Sequence, residues 1–185
     1  QVIQWGSDGK VAENKGITRV PPPNLLVFGA EARRKNTAFA VERFLNIAEA
    51  LPALKLFVIG VSRKQQRQEL IEMATLRGLA DRIVLPGFLS EDELDELIRN
   101  ATALLYLSLY EGFGLPVLEA IERGVPVIAS DRTSIPEVLE GAIGCFSLEN
   151  PQAIEQAIID LATVPGERQR WLLVQQEVLT RFDWK

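Results

Sequence analysis

Ala103-Leu-Leu-Tyr-Leu-Ser-Leu-Tyr-Glu-Gly-Phe-Gly-Leu-Pro-Val-Leu-Glu119 reads as a strand, a turn and a helix start in one continuous stretch. The apolar run Ala103 to Leu107 is too short for a helix of its own and predicts a buried strand. Pro116 suits the first helical position, where a missing N–H costs nothing. Gly112 and Gly114 let backbone N–H groups approach a ligand closely. A helix start also carries free N–H donors and partial positive charge, so it favours an anion such as a phosphate. Glu111 stands just outside that start and Glu119 one turn inside the helix. Each can accept hydrogen bonds from hydroxyl groups, so the stretch outlines a site for a phosphate-bearing sugar.

Further apolar runs occur at Leu25 to Phe28, Leu56 to Ile59, Ile83 to Leu85, Val125 to Ala129 and, more weakly, Ile143 to Phe146. Most are uninterrupted rather than alternating, as expected for strands covered on both faces. Helical patterns separate them. Val41, Phe44, Leu45, Ala48 and Leu51 repeat at helical spacing up to Pro52, with Asn36 as the expected cap. A polar helix is expected over Ser62 to Leu76, stopped by Gly78. Ser90-Glu-Asp-Glu93 has the form of a capping box ahead of Leu94, Leu97 and Ile98. Asn150-Pro151 opens a helix bearing Ile154, Ile158 and Leu161, and a last helix is expected from about Glu167 to Thr180. This alternation predicts an α/β fold: a doubly wound, mainly parallel six-stranded sheet flanked by helices.

The chain has 185 residues, 47% of them hydrophobic, enough for one domain with a sizeable core. Pro21-Pro22-Pro23 marks the expected boundary: residues 1–20 read as linker and 21–185 as the domain. The formal charge of −5 argues against a nucleic-acid partner. There is no histidine, which removes histidine general bases and the commoner zinc sites, and no metal is expected. The single cysteine, Cys145, sits in an apolar segment and is expected in the core of a protein from a reducing compartment. No apolar run is long enough to span a membrane. The chain starts at Gln1 without Met, so it reads as a piece of a longer protein.

In an open parallel sheet, ligands bind beyond the carboxyl ends of the strands, near the switch in strand order. The loop Gly29-Ala-Glu-Ala-Arg-Arg-Lys-Asn36 places Arg33, Arg34 and Lys35 just before a helix start, where they can hold a pyrophosphate or form only a solvated basic turn. Glu119 has an ordinary reading too, since acids are favoured in a first helical turn. Phe113 is either a ligand contact or a core plug. Phe88 and Leu89, in Pro86-Gly-Phe-Leu-Ser90, can wall a nucleobase or simply fill a turn. Asp131-Arg-Thr-Ser-Ile-Pro-Glu137 lines the same mouth or caps a short helix. Trp5, Trp171 and Trp184 carry no motif and read as packing residues.

On Glu111 to Glu119, Phe28-Gly29 through Arg34-Lys35-Asn36, Val84 to Leu94, and Ser130-Asp131 through Pro136-Glu137-Val138, the sequence resembles the C-terminal domain of the retaining family 4 glycosyltransferases. The resemblance covers almost the whole chain and implies the Rossmann-like donor half of a two-domain GT-B fold. Lys35 with Arg34 would neutralise the donor pyrophosphate, and Glu111 would hold hydroxyls of the transferred sugar. Backbone groups from Gly112 through Phe113, Gly114 and Leu115, with Gly29, would contact sugar and phosphate. Glu119 would grip the ribose, while Phe88 and Leu89 would border the base.

The implied reaction is retaining transfer of a hexose such as mannose or glucose from a GDP- or UDP-sugar, with no cofactor or metal, to a glycan or lipid-linked acceptor in polysaccharide biosynthesis. Many members carry arginine after the first-loop glycine where this chain has Ala30, and Arg34 is expected to stand in for it. Val2 to Asp8 looks like the segment joining two domains, and Phe182-Asp-Trp184 like the start of a return crossover. The expected partner is therefore an N-terminal acceptor-binding domain, without which the isolated chain transfers little. The expected location is cytoplasmic, with any membrane contact made through that other domain. The alternatives are a non-catalytic binding or assembly module on the same fold and, more weakly, a nicotinamide dehydrogenase domain, for which no Gly-x-Gly-x-x-Gly follows the first strand. The side chains do not choose the base.

Overall fold

The expected apolar runs pair into one parallel sheet in the computed structural model, which describes residues 23–29 and 32–182. Its strands are β1 (Asn24–Phe28), β2 (Lys55–Ile59), β3 (Ile83–Val84), β4 (Ala103–Tyr106), β5 (Val127–Ser130) and β6 (Cys145–Phe146), in the order β3-β2-β1-β4-β5-β6. The central register pairs Leu26 of β1 with Phe57 of β2 and Leu104 of β4. Every strand runs in the same direction, so helices must carry the chain back across the sheet. These are α1 (Thr37–Ile47), α2 (Lys64–Thr75), α3 (Glu91–Arg99), α4 (Leu115–Glu122), α5 (Ile135–Val138), α6 (Pro151–Thr163) and α7 (Glu167–Leu179).

Side chains alternate across a strand, so β1 feeds two cores. Leu25 and Val27 join Val41, Phe44, Leu70 and Ile158 in the layer under α1, α2 and α6. Leu26 joins Leu97, Leu104, Val117 and Ile121 in the layer under α3 and α4. That two-sided burial explains why the strands read as unbroken apolar runs. Trp171 of α7 is buried against the first layer, its ring stacked 6.2 Å from Phe146. Gln175, buried on the same helix, takes the Val127 N–H and donates to the carbonyls of Val127 and Ile143, pinning α7 to the sheet.

Ser90 and Glu93 form the expected capping box, and Asn150 caps α6 through the Ala153 N–H. Four expectations change. Asn36 precedes α1 but does not cap it: its backbone is left-handed and its amide is drawn away to the Leu107 carbonyl. Helix α4 begins at Leu115 with Gly114 as N-cap, so Pro116 takes the second helical position. The polar helix starts at Lys64 rather than Ser62 and ends at Thr75 rather than Leu76. Cys145 is half-buried, because β6 is the sheet edge, and its Sγ lies 3.6 Å from the Ser130 carbonyl. The expected linker over residues 1–20, the Val2 to Asp8 segment, Trp5, Pro21, Pro22, Ala30, Asp183 and Trp184 lie outside the described residues.

Candidate functional site

Strand order reverses between β1 and β4, and the loops leaving those two strands meet at the carboxyl edge, where open parallel sheets hold their ligands. Main-chain and side-chain bonds knit them together. Leu109 N–H donates to the Arg34 carbonyl (2.7 Å), and Asn36 Nδ2 donates to the Leu107 carbonyl (3.1 Å). Arg33–Lys35 forms one 3-10 turn between β1 and α1. This turn aims Lys35 and Arg34 at Glu111, 76 and 77 residues further along the chain.

Lys35 Nζ lies 2.8 Å from Glu111 Oε1, and Arg34 Nη1 lies 3.2 Å from Oε2. The two cations differ in setting. The Lys35 side chain is 14% exposed, its ammonium donating to the Tyr106 hydroxyl (3.3 Å) and sitting 5.0 Å from the centre of that ring. The Arg34 side chain is 50% exposed. Glu111 is 7% exposed, and its loop is fixed from the other side. Its N–H donates to Thr133 Oγ1 (3.0 Å), and its carbonyl accepts from the Ser134 hydroxyl (3.5 Å). Among the described residues, the non-glycine positions with positive φ are Asn36 and Thr133, and both abut this site. Such strain persists only where surrounding contacts over-determine it, and it gathers at functional sites.

Burial pushes the Glu111 carboxyl upward, but contacts from Lys35, Ser108 and Tyr106 together with the Lys35 charge outweigh it and hold the group below the usual carboxylate range. Glu111 is therefore ionised at neutral pH. Burial, then the Glu111 charge, pushes the Tyr106 phenol far up, so it stays protonated and available as a donor. Two cations facing one carboxylate suit the site to an anion that also carries hydrogen-bonding groups.

The other expected residues divide by position. Gly112 is exposed, with nothing near where a Cβ would stand. Gly114 has φ of +87°, and a Cβ there would meet Ile135 Cδ1 at 2.6 Å, so glycine is required by conformation and by packing on α5. Phe113 is no core plug: it is 37% exposed, edge-on to Phe182 at 5.5 Å. Leu115 and Glu119 are exposed on the first turns of α4. At Gly29 a Cβ would come within 2.8 Å of Val58 Cγ1 and Val61 Cγ2, so packing alone demands glycine. Phe88 is 74% exposed beyond β3, whereas Leu89 packs into the α3–α4 layer. A cleft of about 460 Å³ adjoins the α1–α2 side of the cation turn, between Arg33, Asn36, Arg63 and Leu109.

Three contributors are absent from the sequence-based expectation. Tyr106 and Ser108 contact Glu111 from β4 and its end, and Arg67 of α2 donates to the Val61 (3.1 Å) and Leu85 (2.7 Å) carbonyls, tying the loops after β2 and β3. Tyr106 carried a signal, since a phenol in an aliphatic run needs a hydrogen-bond partner. Among the described residues, no group of three or more Cys, Asp or Glu side chains could hold a metal ion, and no helix is long and apolar enough to cross a membrane.

The sequence profile described as Glycosyl transferases group 1 matches residues 12–172. The Escherichia coli serotype-specific mannosyltransferase WbdA is 34% identical over 167 residues, spanning 87% of this chain and 20% of WbdA. The chain thus spans about a fifth of the length of the E. coli mannosyltransferases it matches. Among solved structures, the C-terminal domain of the group 1 glycosyl transferase LpcC from Francisella tularensis superposes with a TM-score of 0.75 at 23% identity, covering 85% of this chain and 84% of that one. HepE of Anabaena superposes at 0.73 and 20% identity over 87% of this chain and 44% of its own. These two likenesses bear on the fold.

Proposed function

The chain belongs to the group 1 glycosyl transferases, and from that premise we propose that it is the donor-binding half of a retaining, family 4 hexosyltransferase with a GT-B architecture. The observation that carries this reading is the convergence of Arg34, Lys35 and Glu111 at the switch point of the sheet. The substrate is a nucleotide-hexose, and the likeness to mannosyltransferases favours mannose as the sugar. Lys35 and Arg34 take the diphosphate, stabilising the charge that grows on it as the glycosidic bond breaks. Glu111 accepts hydrogen bonds from the hexose hydroxyls. The N–H groups of Phe113, Gly114 and Leu115, at the start of α4, face the same anion.

Glu119 takes the ribose hydroxyls, and the Phe88 ring, with the backbone of Leu89, borders the base. No nucleophilic side chain is needed, because the departing phosphate accepts the proton of the acceptor hydroxyl on the face from which it leaves. The acceptor wall belongs to another domain of the longer protein. Without it water is not excluded, and the chain alone binds donor but transfers little.

Glu119 gives a test independent of the cations. Its carboxylate is exposed, so Glu119→Ala should leave the fold unchanged while weakening nucleotide-hexose binding by about 1–3 kcal/mol, read by calorimetry. Unchanged affinity would remove the ribose assignment.

A further inference from the structure

The cations assigned to the donor are already in use. Lys35 and Arg34 both rest on Glu111, and that carboxylate is nearly inaccessible to water. A diphosphate entering the site must draw at least one cation toward itself. Arg34 is the one free to go, because it is half exposed and its ion pair is long. Lys35 is retained by the hydroxyl and ring of Tyr106. When Arg34 leaves, a buried carboxylate loses part of its pairing, which is costly unless other donors replace it. A hexose attached to the diphosphate brings such donors, since its hydroxyls can bond an ionised carboxylate at the moment Arg34 departs.

We infer that Glu111 is the built-in counterion of the cation pair, exchanged for the donor on binding, so that the site selects a nucleoside diphosphate bearing a sugar over the bare nucleoside diphosphate. The inference rests on the donor-site reading and extends it to product release. Once the hexose leaves with the acceptor, Glu111 has lost its compensating hydroxyls and reclaims Arg34. The hold on the diphosphate weakens, and the product departs. The acid thus acts in two phases: as hydrogen-bond acceptor while the sugar is attached, and as competitor for the cation afterwards.

Glu111→Gln tests this, because it keeps shape and removes charge. In the 185-residue chain, calorimetric titration with UDP and GDP should show the bare diphosphate bound about five- to tenfold more tightly by the variant than by the wild type. The matching nucleotide-hexose should bind no more tightly than to the wild type, so the preference for the sugar-bearing form collapses. Bare-diphosphate affinity that is unchanged or lower in the variant overturns the inference while leaving the donor site standing. A wild-type chain that binds neither ligand overturns the donor-site reading and the inference together. Thermal melts check that the variant folds, and Glu111→Ala should shift bare-diphosphate affinity in the same direction. Should neither variant fold, the Arg34 Nε resonance of the wild type serves: it should move on nucleotide-hexose binding, and a signal indifferent to the ligand contradicts the exchange.

Discussion

On the proposed donor-half reading, Lys35→Met should lower hexosyl transfer, assayed in a two-domain protein carrying this chain, at least about 100-fold, with most of the loss in kcat rather than KM. The substitution keeps a long apolar stem against Tyr106 and removes only the charged end. Lys35 is the better-held of the two cations, fixed at 2.8 Å from Glu111 and 3.3 Å from the Tyr106 hydroxyl. A pre-positioned charge costs no rearrangement as negative charge develops on the leaving group, so its effect is greatest in the transition state. Glu111 would retain Arg34 as a partner, and the fold should survive. Arg34→Met should cost less, because a half-exposed guanidinium is screened by solvent. Steady-state kinetics of the two variants checks the order. Activity of Lys35→Met within a few-fold of wild type would remove Lys35 from the reaction.

Gly144→Ala should be the most damaging single-methyl change outside the site. Gly144 has φ of +108°, a conformation that side chains rarely adopt, and it immediately precedes β6. A Cβ there would collide with the Val127 carbonyl oxygen and lie 2.5 Å from Gln175 Nε2 and 3.1 Å from the Trp171 ring. None of these neighbours yields freely. The Val127 carbonyl already accepts from Gln175 Nε2 (2.8 Å), and Gln175 also accepts from the Val127 N–H and donates to Ile143. The methyl must break that buried network or push α7 off the sheet. The expected cost is at least about 3 kcal/mol, a fall of roughly 6–12 °C in melting temperature. Gly141 is the control: its φ is +78°, but no atom lies within 4 Å of its Cβ position. Gly141→Ala should cost only about 1 kcal/mol, from backbone strain alone. Equal melting temperatures for the two variants would show that the packing around Gly144 is not what requires glycine.

What was legible in the sequence follows from what local pattern encodes. Leu25 to Phe28 and Ala103 to Leu107 could be read as central strands because burial on both faces leaves no polar alternation. The spacing of Glu111 and Glu119 across a Gly-x-Gly turn placed a strand end, a turn and a helix start in order. Choices of partner made through space were not legible. Asn36 has the composition of a cap, yet its amide serves the Leu107 carbonyl just past the end of β4. Arg82 looks like a surface charge. It is buried, donating to the carbonyls of Leu51 and Leu54 just beyond α1. Tyr106 counted as a strand residue, and its second task under Lys35 appears only when β1 and β4 lie side by side. The cation loop and the acidic turn each read as anion sites when taken separately. The fold adds that they are paired with each other.

The central claim is that the site between β1 and β4 binds a nucleotide-sugar. Titration calorimetry of the 185-residue chain with GDP-mannose, UDP-glucose and their parent diphosphates tests it directly. The account predicts saturable binding of one nucleotide-hexose, with a Kd between about 10 µM and 1 mM. Absence of binding by every nucleotide-hexose at concentrations of about 10 mM, from a chain shown to be folded, would contradict it.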